Sequence, residues 1–141
     1  MAAVASYLAD TSALARLHHP SVAAVLAPLI EAGVVATCGV IEFELGWATR
    51  GSAEFDQLRA DRDVGYEWLA THDEDWRRAL EVQGSLWRSG RARSAGLPDL
   101  IIAAVAERER VTVLHFDSDY DLIAHVTGQP MQWVVARGTV P

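Results

Sequence analysis

The chain has 141 residues, half of them hydrophobic, and a formal charge of −7; the length fits one domain, 1–141, and the charge argues against holding nucleic acid by bulk electrostatics. All twelve cationic residues are arginine, which excludes mechanisms that need an ammonium group, the P-loop lysine among them. Cys38 is the single cysteine, so neither an intramolecular disulfide nor a thiolate zinc cage is available. The opening MAAVASYLA has no positive n-region, and no apolar run reaches the roughly 18 residues of a membrane helix, so a cytoplasmic protein without membrane contact is expected.

Ser6 to Asp10 reads as a short buried strand ending in a carboxylate, with Thr11 or Ser12 placed to cap a short helix. A helix from Ser21 to Gly33 follows, with Pro28 expected to kink it, and then a second strand over Val34 to Thr37. Gly39 to Thr49 reads as a helix carrying Glu42 and Glu44 on different faces. Glu44 lies on the stripe of Val40, Ile41, Trp47 and Ala48, so it is expected to face inward and Glu42 outward.

Ala53 to Leu69 has the pattern of a solvated amphipathic helix, and Thr71 with Glu74 matches a capping box opening a further helix, the two forming a hairpin. Arg88 to Gly96 is a small-residue loop with three arginines. Pro98 then begins a helix whose body, Leu100 to Ala106, is apolar all round, leaving Asp99 as an acid in its first turn. Val111 to Phe116 is a strand followed by Asp117 and Asp119; a short helix over Asp121 to Val126 and a last strand over Met131 to Val135 complete the chain.

Strands alternating with helices imply an α/β fold with a mostly parallel sheet, in which ligands bind beyond the carboxyl ends of the strands. Asp10, Asp117 and Asp119 fall at that edge, and Asp99 and Glu44 come from helices. Five carboxylates without a histidine or thiol partner form a hard oxygen donor set, which selects Mg²⁺, with Mn²⁺ a possible substitute. Magnesium so held shares its shell with phosphate, the arrangement of metal-assisted phosphodiester hydrolysis with one or two ions.

The segments YLADTSAL, CGVIEFELGWATR, LPDLIIAAVAER and VLHFDSDYDLIA resemble, in order and spacing, the four acidic motifs of PIN-domain ribonucleases of the VapC toxin type. The resemblance spans nearly the whole chain. It implies a three-layer α/β/α fold and a Mg²⁺-dependent endoribonuclease whose metal-binding acids are Asp10, Glu44, Asp99 and Asp117, with Asp119 in support. It further implies a VapB-like antitoxin and a homodimer. His115 and Phe116 depart from the pattern, standing where relatives often carry a small hydroxyl residue.

Arg91 and Arg93 offer the cations that an RNA backbone needs. The five histidines show no metal spacing and read as structural or surface residues, and the tryptophans as core or interface anchors. An alternative reading is a non-catalytic PIN-like module that binds RNA or a protein partner.

Overall fold

A computed structural model describes residues 3–91 and 93–141. In chain order the elements are β1 (Tyr7–Ala9), α1 (Thr11–Leu14), α2 (Pro20–Glu31), β2 (Val35–Cys38), α3 (Gly39–Trp47) and α4 (Ser52–Arg62). They are followed by β3 (Glu67–Leu69), α5 (Asp73–Arg88), α6 (Leu97–Glu109), β4 (Thr112–His115), α7 (Asp119–Thr127) and β5 (Met131–Trp133). The five strands form one sheet in the order β3-β2-β1-β4-β5, every pairing parallel.

Alternate strand residues enter two apolar clusters, as the two-residue period of a strand requires. Leu8, Ala36, Cys38 and Val113 face a core built with Ile41 of α3, Val82 and Leu86 of α5, the body of α6 and Ile123 of α7. Ala9, Val35 and Leu114 face a smaller core with Val22 and Leu26 of α2. The result is a three-layer α/β/α sandwich with β1 at its centre. The chain winds from β1 outward to β3, then returns to place β4 on the other side of β1. That reversal opens a crevice beyond the carboxyl ends of β1 and β4, the position where such sheets bind ligands.

Three local expectations are corrected. The segment expected as one helix to Leu69 ends at Arg62: Gly65 takes φ +89°, and Glu67–Leu69 adds β3 to the sheet edge beside β2. The hairpin expected between α4 and α5 is absent, because α5 packs chiefly on α6 and α7. The N-cap of α5 is His72, bonded reciprocally with Asp75, rather than Thr71 with Glu74. Pro28 sits inside a helix that continues through it to Glu31.

The α6 helix follows its sequence closely. Every residue from Asp99 to Ala106 is buried, and three alanines let neighbouring elements approach. Burying this much apolar side chain anchors the helix firmly, at roughly 1.5–3 kcal/mol for each large aliphatic residue. Asp99 is thereby fixed on a rigid mount at the crevice.

Candidate metal centre

Asp10 ends β1 and caps α1 itself, displacing the expected Thr11 or Ser12 from that role. Its Oδ2 accepts hydrogen bonds from the Ser12 amide at 3.0 Å and the Ser12 hydroxyl at 2.6 Å. Its Oδ1 accepts from the Tyr120 hydroxyl at 2.7 Å. Ser12 Oγ in turn accepts the Phe116 amide at 2.9 Å, tying the end of β4 to the start of α1. Asp10 is therefore aimed by Ser12 and Tyr120, with the Phe116 amide holding Ser12 in turn.

Asp117 lies just beyond β4, its amide donating to His115 Nδ1 at 3.2 Å. Its Oδ1 accepts from the Asp119 amide at 2.9 Å, and Asp119 Oδ2 accepts from the Gly96 amide at 3.0 Å. One carboxylate oxygen each of Asp99, Asp117 and Asp119 lies within 4.8 Å of the others. Among the described residues, no arginine or histidine forms an ion pair with these acids, with Asp10 or with Glu44.

The electrostatic cost is visible in Asp99, whose carboxyl is pushed up to about 8, first by burial and then by Asp10, Asp117 and Asp119. Asp119 is also raised, chiefly by burial, with Asp117 adding to it. Glu44 is half-buried and accepts the Thr11 hydroxyl on Oε1 at 3.0 Å. Burial raises its carboxyl, and Asp10 raises it further. Glu44 thus belongs to the same field but lies beside Thr11, outside the compact Asp99–Asp117–Asp119 group.

The outward placement expected for Glu42 is wrong. Glu42 is only 5% exposed and sits on a different face of α3 from Glu44, clamped by Arg62 at 2.8 Å and by Arg59 and the Thr37 hydroxyl. Burial opposes its charge, but Arg62, Thr37 and Arg59 prevail and hold it below the usual carboxylate range. The two glutamates do lie on different faces, but the carboxyl-end half of the stripe expected to turn Glu44 inward is itself at the surface, with Trp47 92% exposed and Ala48 exposed, and Glu42 is buried by Arg59 and Arg62, which arrive from α4.

Arg91 and Arg93 are exposed on the loop leading into α6. Arg91 lines a pocket with Ser85, Ser89 and His125, and the Arg93 guanidinium lies 5.9 Å from the centre of the Trp87 ring. Neither is paired with the acids.

Two contributors escaped the sequence reading. Tyr120, fully buried, is bonded to Asp10 and also favours the charged form of Asp99. Its signal was its position three residues after Asp117, in the first turn of α7. Gly96 is the other: a Cβ there would stand 3.2 Å from Asp99 Oδ2 and 3.7 Å from Asp119 Oδ2. His115 is buried against Tyr120 and Trp133, with its Nε2 lacking a hydrogen-bond partner.

Residues 7–126 match the PIN domain family model. The chain is 44% identical over 133 residues to Ribonuclease VapC21 of Mycobacterium tuberculosis, covering 94% of this chain and 96% of that protein. It is 42% identical over 135 residues to Ribonuclease VapC51 of the same organism, covering 95% and 96%. Among solved structures, DNA-bound VapBC from Salmonella typhimurium superposes with a TM-score of 0.73 at 14% identity, over 94% of this chain and all of that one.

Proposed function

The chain belongs to the PIN-domain family, in its VapC branch, and from that premise we propose that it is a divalent-metal-dependent endoribonuclease acting as the toxin of a toxin–antitoxin pair. The observation that carries the mechanism is the convergence of Asp10, Asp99, Asp117 and Asp119 in a crevice where, among the described residues, no arginine or histidine pairs with them. Such a site is least stable empty, since each added negative charge raises the cost of the next. The all-oxygen donor set fits Mg²⁺ or Mn²⁺.

In this reading Asp99, Asp117 and Asp119 hold the ion, with Asp10 and Glu44 at its edge. Ser12 and Tyr120 fix the Asp10 carboxylate, and the Gly96 amide fixes that of Asp119, so little reorganisation is left for the reacting state. When bound, the cation supplies a water of lowered pKa and offsets the charge that builds on the phosphate. Arg91 and Arg93 are the cations offered to the RNA backbone, reaching it from the loop before α6.

The relatives' name, Ribonuclease VapC, supports RNA as the substrate, and the VapBC title of the structural neighbour supports a VapB-like antitoxin as the partner. Phe43, Trp47, Phe55 and Trp68 line an open groove of about 510 Å³, and an exposed apolar surface of this kind suits a partner helix.

Purified protein is expected to cleave RNA with Mg²⁺, to lose cleavage with a chelator, and to lose it on Asp99→Asn with the fold intact. Cleavage that survives either the chelator or the substitution refutes the mechanism. RNA affinity unchanged by neutralising Arg91 and Arg93 together removes that loop from it.

A further inference from the structure

The carboxyl edge of the sheet continues past the acids into a row of aromatic rings and arginines. Phe116 follows β4 directly, and Trp133 ends β5 beside it. Their rings meet edge to face with centroids 5.3 Å apart. The Arg16 guanidinium lies over the Phe116 ring, 4.5 Å from its centre, and that of Arg137 over Trp133 at 5.8 Å. Both separations are within the reach of a cation–π contact. The row runs Arg16, Phe116, Trp133, Arg137; the first three are half-buried and Arg137 is exposed.

Packing accounts for the inner sides of these rings and not for what lies outside them. Phe116 covers the core beneath α2, and Trp133 rests on His115 at 5.0 Å; neither contact needs a cation on the solvent side. Among the described residues Arg16 and Arg137 take part in no ion pair with an acid. Arg16 is nonetheless held in place, its Nε donating to the Pro141 carbonyl at 2.8 Å and its Nη1 to the Ser12 carbonyl at 2.7 Å. Asp121, the acid bordering the row, accepts the Trp133 indole N–H at 3.1 Å rather than a guanidinium. Ser12 also joins the row to the acids, since its hydroxyl accepts the Phe116 amide and donates to Asp10.

Aromatic faces stack bases, and a guanidinium takes either a base face or a phosphate, the combination by which proteins hold single-stranded RNA. We propose that Arg16, Phe116, Trp133 and Arg137 form a nucleotide subsite for the RNA flanking the cleaved phosphate, a base stacked on the row and the backbone phosphates against the two guanidiniums. The subsite rests on the ribonuclease reading and adds a second RNA contact to the Arg91–Arg93 loop, from the α1 side of the acids.

Binding is measured apart from cleavage, by fluorescence anisotropy of a labelled single-stranded RNA of mixed sequence in chelator. Trp133→Leu is expected to weaken it about tenfold and Trp133→Phe, which keeps a ring, by no more than about twofold. Arg16→Gln combined with Arg137→Gln weakens binding and lowers the slope of log affinity against log salt by about 1.4, whereas Trp133→Leu leaves the slope unchanged. Arg137→Gln alone, at an exposed side chain, keeps the fold and lowers the slope by about 0.7. Ultraviolet crosslinking of the wild-type chain to the same RNA is expected to place adducts on Phe116 or Trp133.

The proposal is overturned by a wild-type chain without affinity for this RNA, by Trp133→Phe binding no better than Trp133→Leu, or by a salt slope that the arginine substitutions do not move. Losses confined to the binding of a protein partner overturn it too. RNA held through the row without Mg²⁺-dependent cleavage supports the subsite and refutes the nuclease reading. Cleavage at wild-type kcat and KM in every one of these variants overturns the subsite and leaves the nuclease reading standing.

Discussion

Replacing Asp99 by Asn is expected to stabilise the metal-free protein, and to do so more strongly as pH rises. The carboxyl sits at about 8 in the folded chain, against roughly 3.9 when unfolded. Between those values the folded state holds a proton that the unfolded state has released. Stability is thus full below pH 4 and declines by about 1.4 kcal/mol per pH unit until it levels above pH 8. At pH 7 the accumulated loss is about 4 kcal/mol. Asn at this position carries no such cost.

The stability difference between variant and wild type therefore widens by about 4 kcal/mol from pH 4 to pH 7, which is about 10 °C in Tm for a chain of this size. Calorimetry in chelator at pH 5, 6, 7 and 8 measures it. Millimolar Mg²⁺ is expected to raise the wild-type Tm and leave the variant nearly unmoved, because binding to the folded state alone shifts the unfolding equilibrium. A Tm difference that is the same at every pH refutes the claim that Asp99 is buried among unneutralised acids.

Other outcomes follow from individual contacts. Tyr120→Phe removes a buried hydrogen bond to the Asp10 carboxylate and is expected to cost about 1.5–3 kcal/mol in urea unfolding, with a parallel loss of metal affinity by calorimetric titration. Gly96→Ala places a methyl against Asp99 and Asp119, so it is expected to weaken Mg²⁺ binding about tenfold with a Tm change of only a few degrees. Glu42→Ala strands the buried Arg62 and is expected to cost about 3–5 kcal/mol of stability while leaving metal affinity unchanged, which separates this cluster from the metal centre. Because the Glu42 carboxyl is held low, its stabilisation is present at neutral pH and is lost as pH falls through that lowered value.

The parts of the fold legible in the sequence were those with a strong local signal. The all-apolar run after Asp99 read as a helix buried on every side, and the β-rich run from Val111 to Phe116 read as a strand, which the structure sets at Thr112–His115. β3 gave no such signal: it is three residues long, and Trp68 in its middle is 60% exposed. Its place comes from pairing with β2, a contact that no local pattern encodes.

The acids of the candidate site were legible for a related reason, each lying next to a strand end or helix start whose direction the pattern fixed. What organises them was not. Tyr120 and Gly96 act through atoms contributed across more than twenty residues of sequence, and Glu42 is decided by two arginines seventeen and twenty positions later. Likewise the tryptophans on α3, β3 and α5 lie at the surface rather than in the core, because the small residues of α6 and the sheet fill the interior before any indole is needed.

The order in which the acids occur along the chain has a consequence for how the site assembles. β1, which leads into the first of them, occupies the middle of the sheet and is completed on one side only by β4, more than a hundred residues later in the chain. Asp117 and Asp119 come later still. A chain that lacks β4 and the acids after it has neither a closed crevice nor the full set of carboxylates, so the site is assembled only when segments more than a hundred residues apart have come together.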